Sequence, residues 1–251
     1  MIVTWTGIAG IIVVSVTFIL MILFMLLNRR YPWRGLRSIP AFSRLRQAIF
    51  LAVEDGSRLH VSLGKASLFS GQNASGLVGL SILVRVAQLS SISDRPPVAT
   101  SGDGGFSILS QDTLRAAYRT GNASELYNPD RGRLSGATPL SYTAGALPVI
   151  WDENVSTNIL IGHFGPEVAL LADAAQKKSS YLLAASDTLS AQAVLYAMAS
   201  EPLIGEELFA GGAYLQTNPS HPASLRAQDI LRWLVVATIL VGILLKFIGI
   251  V

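Results

Sequence analysis

The sequence predicts an open, mainly parallel three-layer α/β sheet domain, flanked by an N-terminal and a C-terminal transmembrane helix. Two strand–turn–helix units carry the first half of this reading. Residues 157–162 lead through a turn into a helix over 167–178, and residues 181–185 lead into a helix over 189–199. Short strands alternating with helices of this length imply parallel strands joined by crossovers. Both strands are apolar on each side, as strands are when helices cover both faces of a sheet. The two chain ends carry the second half. Residues 1–28 hold no charge and residues 233–251 hold only Lys246, and roughly 20 apolar residues suffice to span a bilayer as a helix.

The chain therefore divides into a transmembrane helix over 1–28, a basic juxtamembrane segment over 29–43, a soluble α/β domain over 44–225, and a second transmembrane helix with a short helical lead-in over 226–251. A cleaved signal peptide begins with positive charge ahead of its apolar core. Here the order is reversed, with Arg29, Arg30, Arg34 and Arg37 following the apolar run. Basic flanks stay on the cytoplasmic side, so both chain termini are expected outside and the domain in the cytoplasm. Arg226 and Arg232, ahead of the second span, give the same orientation, and Trp5, Tyr31, Trp33 and Trp233 fall at headgroup depth. The absence of cysteine suits a reducing compartment. The net charge of +3 comes largely from the juxtamembrane arginines, which points to a lipid bilayer as partner and not to nucleic acid.

Within the domain, residues 42–53 are patterned as an amphipathic helix, and residues 58–64 alternate as a strand with Leu59, Val61 and Leu63 on one side. Residues 77–89 return to helical spacing. Residues 98–100 enter a glycine-rich turn, and a helix follows over 107–120. Residues 121–136, rich in Asn, Asp, Gly and Arg, read as a surface loop. Residues 201–215 read as a helix with a glycine-rich end, and Ser224 is placed to cap a helix continuous with the second span.

Ligands of open α/β sheets bind outside the carboxyl ends of the strands. The candidate binding residues are therefore Gly102, Asp103 and Gly104 in the first turn, His163 and Glu167 in the second, and Asp187 in the third. Ser107 stands where a dinucleotide fingerprint needs its third glycine. Glu167 is expected to complement a helix N-terminus and Asp187 to cap one. Asp103, Glu167 and Asp187 thus supply negative charge where a phosphate would sit, which leaves neutral or cationic ligands. Gly64-Lys65 fails as a phosphate loop, because Ala66 follows the lysine where a hydroxyl must hold magnesium. No His or Cys pair stands at metal-binding spacing and no Gly-x-Ser-x-Gly elbow occurs, so no catalytic residue, metal or cofactor is expected. Adjacent Glu206 and Glu207 point about 100° apart on a helix and suit a charged contact with Arg131 or Arg133 of a neighbouring copy.

Several strings are familiar together: Val53-Glu-Asp-Gly-Ser-Arg-Leu-His-Val-Ser-Leu-Gly64, Thr100-Ser-Gly-Asp-Gly104, Gln111-Asp-Thr-Leu-Arg-Ala-Ala-Tyr118, Ile161-Gly-His-Phe-Gly-Pro-Glu167 and Pro202-Leu-Ile-Gly-Glu-Glu-Leu-Phe-Ala210. They resemble DUF6754, a family of membrane proteins of unknown function associated with Chloroflexota-type bacteria. The resemblance implies that this Rossmann-like unit is a single domain at a bacterial inner membrane, and it carries no site residue across. The leading expectation is a structural subunit whose cytoplasmic domain self-associates into a ring or array, with other membrane proteins as further partners. A small-molecule sensor binding at the strand-end turns is the alternative, and an enzyme using His163 or Glu167 the third reading.

Overall fold

The computed structural model describes residues 5–30, 37–69, 71, 73–91, 93–215 and 220–247. It divides into two compact units, Met1–Arg37 with Asn218–Val251, and Ser38–Thr217. Tyr31, Trp33 and Arg34 lie outside the described residues.

The first unit is a pair of helices, α1 (Trp5–Arg30) and α9 (Ser220–Phe247), packed against each other. Both are long and apolar enough to cross a membrane, over Gly10–Leu27 and His221–Phe247. Their outer surfaces are apolar side chains such as Ile11, Phe18, Ile239 and Leu244. Two threonine hydroxyls within them are satisfied inside their own helix. Thr17 donates to the Val13 carbonyl at 2.7 Å and Thr238 to that of Leu234 at 2.8 Å, as hydrocarbon surroundings require.

The second unit is built in the order α2 (Pro40–Glu54), β1 (Arg58–Gly64), α3 (Asn73–Leu89), β2 (Val98–Ser101), α4 (Gly104–Thr120), β3 (Gly132–Leu134), α5 (Pro139–Asp152), β4 (Val155–His163), α6 (Val168–Lys177), β5 (Tyr181–Ser186), α7 (Leu189–Met198), β6 (Glu201–Leu203) and α8 (Glu207–Tyr214). The strands form one six-stranded sheet in the order β3-β2-β1-β4-β5-β6, and every pairing is parallel. Strand alternation separates the two layers. Leu59, Val61, Leu63, Ile159 and Ile161 face a core shared with α2, α3, α4 and α8. Leu160, Leu182 and Ala184 face a second core with α5, α6 and α7. Burying each Leu, Ile or Val among them contributes roughly 1.5–3 kcal/mol, so the two cores are what hold the helices to the sheet.

Local signals set the helix starts. Pro40 opens α2, Asp103 caps α4 through the Phe106 N–H, and Thr138 forms a capping box with Ser141 ahead of Pro139 in α5.

Two sequence expectations are corrected. Residues 121–136 are not a plain loop, since two short 3₁₀ turns lead into β3, held by the pairs Ala99↔Gly132, Thr100↔Arg133 and Ser101↔Leu134. A three-residue edge strand is too short to show alternation. Residues 201–215 are not one helix, because β6 precedes a turn with Gly205 at φ +61° before α8. Pro202 is tolerated because β6 lies at the sheet edge. The helix α5 was not assigned from sequence at all.

The strand order reverses between β1 and β4, so α3 and α6 leave on opposite faces of the sheet. The carboxyl ends of those two strands, on either side of the reversal, are where doubly wound folds place ligands.

Candidate functional site

The carboxyl ends of β1 and β4 are locked together by glycine. Gly64 has φ +63°, and a Cβ there would meet the backbone carbonyl of His163. A Cβ on Gly162 would meet the Leu63 carbonyl. The Lys65 N–H donates to the His163 carbonyl and the Gly102 N–H to the Gly64 carbonyl, both at 2.7 Å. These glycines serve close approach of the chain to itself, which leaves no cradle for a pyrophosphate at Gly102. There the position of a Cβ is already taken by the Lys65 stem and two carbonyls.

The register then aligns two of the predicted side chains. Gly162 pairs with Ser186, so the next residues, His163 and Asp187, emerge together. The His163 Nδ1 lies 2.8 Å from Asp187 Oδ1, with the two side chains 20% and 23% exposed. The other carboxylate oxygen accepts a 2.8 Å hydrogen bond from Ser75 Oγ, buried in the first turn of α3. A carboxylate oxygen only accepts, so Nδ1 carries the proton and the exposed edge of the ring offers Nε2 as an acceptor. Asp187 is therefore an orienting group for His163. The cap of α7 is Thr188, whose hydroxyl accepts from the Ala191 N–H. This corrects the expectation that Asp187 caps that helix: a threonine one position closer takes the bond.

The other predicted residues do not join them. Asp103 accepts from the Phe106 N–H at 3.1 Å, and Glu167 folds back to accept from the Gly165 N–H at 3.0 Å. Gly104 faces open space at the start of α4. At the far edge of the sheet, Arg131 and Arg133 both reach Glu153 of the same chain. Glu206 and Glu207 open α8, beyond β6 at the other edge. An open groove of about 320 Å³ between α3 and α4, lined by Val84, Gln88, Leu109 and Ala116, contains none of these side chains.

A profile of the family described as a domain of unknown function, DUF6754, matches residues 2–251, the whole chain. The chain belongs to the DUF6754 family. No curated protein and no solved structure shows a significant match to it.

In this DUF6754 chain the order Ser75–Asp187–His163 restricts the chemistry. The serine donates to the carboxylate, not to the imidazole, so His163 does not activate it and no acyl-transfer triad is formed. What remains is a held imidazole with one free edge, able to accept from a ligand N–H or O–H or to exchange a proton with it. On the opposite face of the sheet, towards α5, runs a buried polar network that sequence reasoning missed. His60 is fully buried, with Nδ1 3.0 Å from Asn158 Oδ1 and Nε2 2.9 Å from Thr100 Oγ1. Thr100 meets the Tyr142 hydroxyl at 3.1 Å, and that hydroxyl also contacts Ser62 and accepts from the Gly64 N–H at 3.3 Å. Burial lowers His60 from 6.5 to about 4, with the Asn158 hydrogen bond opposing it. The network ties β1 to β2, β4 and α5. Ser75 carries no local signal at all, since its role exists only once α3 crosses β4.

Proposed function

We propose that this DUF6754 chain is a membrane-held binding module. Its site is at the carboxyl ends of β1, β4 and β5, and His163 is the ligand-contacting group, positioned by Asp187 and Ser75. The observation that carries the reading is the Ser75–Asp187–His163 chain at the point where the strand order reverses. One Asp187 oxygen holds the imidazole and the other is anchored by the buried Ser75 hydroxyl, which fixes the tautomer and orientation of the His163 ring. Asp103 caps α4 and the Glu167 carboxylate stands at the start of α6, and this negative charge favours a neutral or cationic ligand bearing an N–H or O–H over a phosphate. The basic residues that follow α1 and those that precede the apolar part of α9 hold the domain on the cytoplasmic face of a bacterial inner membrane, with both termini outside.

The test is thermal unfolding of the full chain in lipid discs against nucleosides, neutral sugars, amino acids and polyamines. At a concentration a hundred-fold above Kd a ligand stabilises the folded state by about 2.7 kcal/mol. The reading expects a stabilising compound whose effect is lost in His163→Ala and weakened in Asp187→Asn. No stabilising compound, or equal stabilisation of His163→Ala, refutes it.

Self-association into a scaffold is a second reading. It is favoured by exposed apolar side chains along the layer of α5, α6 and α7: Leu140, Leu170, Tyr196 and Leu189, the last 83% exposed. A discrete large particle mass in native lipid discs supports it, and a monomer at all concentrations rules it out.

A further inference from the structure

At the amino ends of the strands, opposite the end that carries His163, three guanidiniums meet one carboxylate. Arg58 opens β1, Arg131 ends the turn before β3, and Arg133 lies in β3. All three ion-pair with Glu153 at the end of α5, Arg131 at 3.4 Å. Three positive charges against one negative leave an excess of two. Little of this is in open water, since the Arg58 side chain is only 12% exposed. The electrostatic consequences appear on each group. Burial pulls the Arg58 guanidinium below its ordinary value, and the neighbouring Arg131 charge adds to that. Burial pushes the Glu153 carboxyl up, but the Arg133, Arg58 and Arg131 charges outweigh it and hold it below the usual carboxylate range.

A second observation falls in the same place. The hydroxyl of Tyr118, on α4 and 1% exposed, is buried with no hydrogen-bond partner among the described residues. The Nε atoms of Arg58 and Arg131 are buried and unpartnered too. The helix α4 that carries Tyr118 packs against the turn ending in Arg131 and against β3, which holds Arg133, and burial pushes the Tyr118 phenol up to about 12, opposed by the charges of Arg131 and Arg58. Buried donors are nearly always satisfied, and a group of them around excess positive charge marks the place of an acceptor with negative charge.

We propose that Arg58, Arg131, Arg133 and Tyr118 bind a phosphate-bearing anion at the amino end of the sheet. A dianionic phosphoryl group cancels the excess of two charges, and its oxygens match the guanidinium fork and the phenol donor. Glu153 keeps the three arginines gathered when the anion is away. The chemistry is shared by a soluble phosphoester and a lipid headgroup, and this site is independent of the His163 site.

The experiment uses the full chain in discs of zwitterionic phosphatidylcholine, with pyrophosphate titrated at constant ionic strength and unfolding followed by temperature. A second arm compares amide hydrogen exchange of residues 129–134 in those discs and in discs containing phosphatidate. The proposal expects saturable stabilisation by pyrophosphate or slowed exchange with phosphatidate, the first naming a soluble phosphoester and the second a headgroup. Arg131→Gln is expected to weaken the response about tenfold or more, as loss of one charge-assisted pair does. Tyr118→Phe, which removes only an unmet hydroxyl, is expected to fold as the parent does and to bind more weakly. No response in either arm, a pyrophosphate response that chloride reproduces, or a response unchanged in both variants overturns the proposal.

Discussion

The buried histidine of β1 gives the domain a specific dependence on acid. His60 is held neutral in the fold down to about pH 4, against 6.5 in the unfolded chain. Between those values the unfolded chain binds the extra proton, so stability rises with pH across the window. It is complete above the unfolded value and is lost as pH falls towards the folded one. Linkage over that gap amounts to about 3 kcal/mol by pH 4 and about 2 kcal/mol by pH 5. The groups that act on the ring are Asn158 and Glu153, which favour its charge, and Arg133, which opposes it. Glu153, itself held below the usual carboxylate range, contributes only under more acidic conditions, so the informative range is pH 5 to 7.5. The assay is urea unfolding of the full chain in detergent, followed by far-ultraviolet circular dichroism, for the parent and for His60→Gln. The other two histidines are common to both proteins and cancel in the comparison. The parent is expected to lose about 2 kcal/mol between pH 7.5 and pH 5 that the variant does not. Equal slopes in the two proteins, whatever their absolute stabilities, would refute the account of His60 as a buried neutral base.

Other consequences can be measured alongside. Gly64→Ala combines a positive φ with a Cβ directed into the His163 carbonyl, and is expected to cost about 2–4 kcal/mol, read from the urea midpoint. A loss under about 0.5 kcal/mol would show that the strand ends yield easily. Ser75→Ala removes one of the two groups on Asp187. It is expected to cost about 1 kcal/mol and to speed amide exchange at the end of β5, both absent if the bond is not formed. Because the chain has no cysteine, Ser124→Cys, exposed ahead of β3, reports sidedness. An impermeant maleimide should label it only after the cells are opened, and labelling of intact spheroplasts would reverse the proposed topology.

Much of the architecture was legible because it rests on local pattern. The run 157–162 and the run 181–185 show their burial on both faces directly, and Leu59, Val61 and Leu63 alternate onto one core as their spacing predicts. The edge strands β3 and β6 were not legible. Each is three residues long and exists through its partner, β2 or β5, not through its own composition. Strand order is likewise a property of long-range pairing. The site divides in the same way. His163 and Asp187 were visible as residues at strand ends, but their pairing depends on the register Gly162↔Ser186, and the contribution of Ser75 depends on α3 lying over β4. Asp103 and Glu167 were visible for a different reason: one caps a helix and the other stands at a helix start, and both signals are local.

The central claim is that the free edge of His163 meets a ligand. With three histidines in the chain, histidine-selective isotope labelling gives few signals, and single substitutions assign them. The direct measurement is the NMR spectrum of the labelled full chain in detergent as the nucleosides, sugars, amino acids and polyamines are added in turn. The account predicts that at least one compound shifts the His163 Nε2 and Cε1 signals in a saturable way while those of His60, buried on the opposite face of the sheet, stay in place. His163 signals unmoved by every compound, or His163 and His60 moving together as unfolding would move them, would contradict it.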